Sequence, residues 1–162
     1  MNCNIAIAIL AVGVVPGIAA CGDSDSAAAC DYLETMDLTN NTNVGGTAEN
    51  TSLTFGTSPV VICGEGNSGH YDSENLDYDA YTVMVAAAGN ATLMLSATVP
   101  PSLSLFDVSI LDSGLRGKGR ATLAGSASVQ LTPGSYRLEI RVQNPTPIGS
   151  SFSYKIMLTP AM

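Results

Sequence analysis

Asp77 and Asp79 stand two residues apart, where a glycine-rich loop over residues 64–77 runs into the apolar alternation that starts at Tyr81. On one face of a strand, two carboxylates at that spacing can share a hard cation with backbone carbonyls of the loop. Asp72 and Glu74 are close enough in sequence to add oxygens, so calcium is the metal these residue types suggest. The alternative is ordinary: Asp79 accepts loop amides, the other acids are solvated, and no D-x-D-x-D-G loop is present. Other chemistry is poorly supplied. A Ser-His-Asp set would have to use His70, the single histidine, and Gly66-Asn67-Ser68-Gly69 beside it is not a G-x-S-x-G elbow. Carboxylate pairs for glycoside hydrolysis are conceivable, yet no spacing selects a pair and the chain has no Trp to line a sugar cleft. The expectation is a protein without catalytic residues and without an obligatory cofactor.

The cysteines carry a different chemistry. Residues 5–15 are apolar and uncharged, Pro16-Gly17 breaks the run, and Ile18-Ala19-Ala20-Cys21 follows. A short apolar core followed by small residues is the build of a secretory signal peptide. With Cys directly after two alanines, the segment resembles the lipobox of bacterial lipoproteins. That resemblance implies cleavage before Cys21, acylation of its thiol with chains such as palmitate, and a protein anchored to the cell-envelope membrane. Two or more chains hold a protein stably on a bilayer. A plain cleaved signal peptide and an uncleaved anchor are the alternatives, although spanning a bilayer takes about 20 apolar residues. On the lipoprotein reading, residues 1–20 are removed, 21–29 form a polar lipidated tether, and 30–162 form a single domain. Cys30 and Cys63 then meet an oxidising compartment, where a disulfide persists. Two buried free thiols are the other possibility. Zinc is not suggested, because the cysteines are not in CxxC pairs and there is one histidine.

Charge narrows the partners. Formal net charge is -8, thirteen of the 14 acids precede Arg116, and all six bases lie from Arg116 onward. Such a chain offers no basic patch to a phosphate backbone, so nucleic acid is not an expected partner. Charged residues make up only 12% of the sequence, while Thr, Ser, Gly and Val are plentiful, which favours an exported all-β domain.

The elements that must position these residues read as short strands. Tyr81, Val83 and Val85 share one face, as do Leu93 and Leu95, with a turn expected at Gly89-Asn90 between them. Residues 52–55 and 59–63 are short apolar runs, and residues 31–50 read as extended chain wrapped around the domain edge. Leu103, Leu105 and residues 108–111 make a further segment, followed by short strands at 120–124 and 128–132. In residues 136–142 apolar and charged positions alternate strictly, which predicts one buried face and one wet face carrying Arg137, Glu139 and Arg141. Thr132-Pro133-Gly134-Ser135 is the turn that feeds that strand. Phe152, Tyr154, Ile156 and Leu158 line one face of the last strand. No stretch keeps a 3.6-residue period. About eight short antiparallel strands at hairpin spacing predict an all-β, jelly-roll-like β-sandwich.

The order Ile62-Cys63-Gly64-Glu65, Gly69-His70, Asp77-Tyr78-Asp79-Ala80-Tyr81, Leu103-Ser104-Leu105-Phe106-Asp107, Leu131-Thr132-Pro133-Gly134-Ser135-Tyr136 and Tyr154-Lys155-Ile156 resembles the bacterial pre-peptidase C-terminal domain. The resemblance covers about residues 50–160. It implies a non-catalytic sandwich that assists secretion or binds substrate or matrix, with calcium held near Asp77 and Asp79 in some members. Two functions remain open: an anchored lipoprotein acting as a binding or structural module, and a secreted accessory domain that binds calcium and a protein or polysaccharide. Tyr32, Tyr71 and Tyr78 are the surface aromatics expected to mark a binding face.

Overall fold

Alternating stretches become strands because each can bury its apolar side against a common core. The computed structural model describes residues 29–35, 47–67, 76–97, 105–143 and 151–161. The signal segment, Cys21 and the tether up to residue 28 lie outside those residues, as do Cys3, His70, Tyr71, Asp72 and Glu74. In chain order the strands are β1 (Tyr32–Leu33), β2 (Glu49–Phe55), β3 (Val60–Asn67), β4 (Leu76–Val85), β5 (Gly89–Ala97), β6 (Leu105–Asp112), β7 (Gly117–Thr122), β8 (Ser126–Leu131), β9 (Gly134–Gln143) and β10 (Ser151–Pro160).

They form two five-stranded sheets, ordered β1-β3-β10-β5-β8 and β2-β4-β9-β6-β7, that face one another as a sandwich. Ile62, Leu93, Leu95, Ile156 and Leu158 of the first sheet meet Val83, Ile110, Leu138 and Ile140 of the second in one buried cluster. Phe106 packs edge-on against Phe152 across the two sheets, with ring centroids 5.3 Å apart. The all-β sandwich read from the sequence is therefore the fold.

Its connections differ from the expectation. From β2 to β6 each strand is followed by one in the opposite sheet, and β6–β7 is the hairpin among the described strands. Hairpin spacing in the sequence was thus mostly crossover spacing. Both sheets are also mixed, since β1 runs parallel to β3 and β2 parallel to β4. A two-residue strand has no periodicity to read, so β1 was hidden in chain expected only to wrap the edge. Gly89-Asn90 is strand rather than turn, with the bend falling at residues 86–88, and β3 runs on through Gly64 to Asn67. The predicted wet face of β9 needs the largest correction. Glu139 is 4% exposed and pairs with Arg137 at 2.6 Å, while Arg141 reaches Asp107 at 3.0 Å. Paired charges with long arginine stems cover one another, so a charged strand face need not be open to water.

Candidate functional site

Register carries Asp79 inward. It lies opposite Ile140 in β9, two positions from the Tyr81–Leu138 pair, and is 1% exposed. Tyr154 of β10 donates to Asp79 Oδ2 at 2.7 Å, and the Tyr81 and Tyr154 hydroxyl oxygens stand 2.6 Å apart. Because Tyr154 has one proton and gives it to Asp79, Tyr81 is the donor in the second bond. The two bonds form a hydroxyl relay across the sandwich that ends on Asp79. Asp77 of β4 pairs with Val142 of β9, and its side chain lies outside the described set. Among the described residues no three His, Cys, Asp or Glu side chains come close enough to hold a metal ion.

The relay sits in a wider polar pocket of the core. Tyr32, expected at the surface, is half-buried and packs edge-on against Tyr81 with centroids 6.3 Å apart. Glu49 of β2 is 1% exposed and accepts from the Thr35 amide at 3.1 Å and from the Thr35 hydroxyl, while its Oε2 has no hydrogen-bond partner among the described residues. Gly64 lies so close to the Tyr154 hydroxyl and to Glu34 Oε2 that a Cβ there would overlap them. Burial first, and the neighbouring Asp79 second, push the hydroxyls of Tyr81 and Tyr154 far above the ordinary tyrosine range. Burial and then Glu49 raise Tyr32 as well. This arrangement ties β4 of one sheet to β10 of the other.

One more covalent feature holds this edge. Cys30 and Cys63 are joined, with Cα atoms 5.7 Å apart. The bridge draws the chain beside β3, where Asp31 exchanges bonds with Val61 and the Glu34 amide donates to the Cys63 carbonyl at 2.9 Å.

An open concavity lies at the other end of the second sheet. Val85 pairs with Gly134 and Asp112 with Tyr136, so the β6–β7 and β8–β9 turns meet at the end remote from the Leu76–Gln143 pair. Between them lies a cleft of about 420 Å³, lined on one side by Asp112, Arg116 and Lys118 and on the other by Thr132, Pro133 and Ser135. Asp112 builds the first wall. Its Oδ1 accepts from the amides of Gly114 at 2.9 Å and Arg116 at 3.0 Å, and its Oδ2 pairs with Lys118 at 3.1 Å. The Arg116 amide first, then Lys118, hold its carboxyl below the usual aspartate range. Tyr136 builds the second wall by accepting from the Thr132 amide at 3.0 Å.

At the tip, Leu115 has φ 58° and is 48% exposed. A left-handed backbone costs a branched residue roughly 1–2 kcal/mol, and strain of this kind concentrates at sites that present a side chain to something else. Arg116 beside it makes no ion pair with a described residue, whereas Arg120 and Arg141 are both bound to Asp107. The sequence signal for this end was the first base after thirteen acids, set among Gly114, Gly117 and Gly119. Tyr78, the other described aromatic expected at a binding face, lies opposite Arg141 in the sheet and away from the cleft.

No family model matches the chain, and no curated protein matches it. Several solved structures are similar in outline. The pre-peptidase C-terminal domain of a Bacillus anthracis collagenase is 17% identical, with 70% of this chain and 97% of that one covered and a TM-score of 0.46. A periplasmic inhibitor of g-type lysozyme, PliG from Aeromonas hydrophila, is 13% identical over 67% of this chain and 95% of that one, with a TM-score of 0.43. The PliG of Salmonella Typhimurium is 15% identical over 72% and 99%, with a TM-score of 0.39. The domain family that the motif order resembles is thus among them, but likenesses this distant carry nothing into the argument about function.

Proposed function

We propose that this chain is an exported lipoprotein, anchored to the envelope membrane through Cys21, whose sandwich is a non-catalytic binding module for a protein or polysaccharide. The observation that carries the binding half is the cleft end: a strained, exposed Leu115 beside Arg116, a cation with no ion-pair partner among the described residues. The anchor half rests on Ile18-Ala19-Ala20-Cys21. A tether over residues 21–29 reaches at most about 30 Å when extended, so the module would work close to the bilayer.

The two halves separate experimentally. Cys21→Ser is expected to move the protein from the membrane fraction to the soluble exported fraction; an intact Met1 on the mature protein would contradict the anchor. For binding, envelope glycans and envelope proteins on arrays serve as probes. Leu115→Asp and Arg116→Glu are expected to lose the retained ligand by about tenfold or more while the melting temperature stays unchanged. Equal retention by the wild type and both variants would place binding elsewhere.

A further inference from the structure

Four strands form the outer edges of the two sheets, and three of them carry features that discourage pairing. β1 has two residues. β2 is interrupted between Asn50 and Leu53, where Ser52 has φ 57°. β7 presents Lys118 and Arg120, and its pairing shifts register at Ile110/Leu111. β8 has none of these. Ser126–Leu131 contains no charge and no proline, pairs with β5 without a break, and among the described residues has no strand hydrogen-bonded to its other side, though β7 packs beside it. Val129 and Leu131 root it in the core while Ser126, Ser128 and Gln130 stay exposed. Gly119 of β7 lies so close that a Cβ there would overlap Val129 Cγ1, which holds the edge in place. At its end β8 runs into Thr132, a wall of the cleft that also holds Arg116.

We infer that β8 accepts an extended segment of a partner protein as an added strand, with an acidic side chain of that segment seated at Arg116. The inference rests on the reading of the cleft end as the binding face. Main-chain bonds along β8 supply affinity and the cleft supplies selectivity. Arg116 lacks a carboxylate partner among the described residues, and an acidic peptide completes it. A second copy of this chain is a poor occupant, because each copy brings a net charge of -8 to the contact.

The test is selection of short displayed random peptides on the full chain, followed by amide hydrogen exchange of the complex. Enriched peptides are expected to be strand-forming, with Asp or Glu at one fixed position. They should slow exchange at alternate amides of residues 126–131, those directed away from β5. Arg116→Glu should weaken them about tenfold or more, with Arg116→Lys retaining most of the binding. Peptides that bind without slowing exchange in β8 would overturn strand addition and leave the cleft as the binding face. Binding indifferent to Arg116→Glu would overturn the acidic seat, and failure to enrich any peptide would overturn the inference outright. Concentration-dependent dimers that protect β8 without peptide would assign the edge to a second copy instead.

Discussion

Tyr154 gives its one hydroxyl proton to Asp79 and accepts from Tyr81, so phenylalanine there removes a donor from a buried carboxylate. Tyr154→Phe is expected to destabilise the fold by about 1–3 kcal/mol, read from the urea midpoint. Ionisation adds an independent check. The folded state raises both hydroxyls above the unfolded value of 10.0, so it binds more protons than the unfolded chain at higher pH. Stability is therefore complete below pH 10 and declines as pH rises above it. In absorbance titration, Tyr81 and Tyr154 should ionise only as the protein unfolds; ionisation of every tyrosine with the fold intact would contradict the relay. Asp79 stood out in the sequence for its position, but its partner did not. An i, i+2 spacing describes one strand, and Tyr154 arrives from 75 residues away in the other sheet.

Strands were legible where one face is uniformly apolar, as in Tyr81, Val83 and Val85 or Tyr154, Ile156 and Leu158. What alternation cannot encode is which sheet a strand joins. Two neighbours in sequence with the same pattern can pair or cross, and here most cross. Alternation also left open what covers the polar face of β9, because Asp107 and Arg141 meet across strands far apart in the chain. Two predictions belong to this scale. Cys30→Ser with Cys63→Ser opens a 33-residue separation and should cost roughly 3–4 kcal/mol on the chain-entropy account, loosening β1 first. Faster amide exchange at residues 31–34 than at β10 is the signature, and unchanged exchange there would contradict it. Gly119→Ala should cost about 1–3 kcal/mol through overlap with Val129. Val129→Ala in the same chain should recover part of that loss, because it clears the space that the added methyl needs.

Over the whole molecule the charge is sorted, with eleven acids and no bases between Asp23 and Asp79 and every base from Arg116 onward. The acidic half raises local cation concentration whether or not a site exists. Melting with calcium or with chelator, at constant ionic strength, is expected to show little or no shift. A rise of several degrees that vanishes in Asp79→Asn would contradict this and restore the calcium-binding accessory reading. That charge sorting was legible in the sequence; the cleft was not, because it forms only when turns from two separate strand pairs meet. The claim that this end is the binding face is tested most directly in the cell, by a photo-cross-linking amino acid placed at Leu115 and, as a control, at exposed Ser153 in β10. The account predicts a discrete adduct from position 115, absent from position 153 and lost when Arg116→Glu is added. Equal adducts from both positions, or an adduct from position 153 alone, would contradict it.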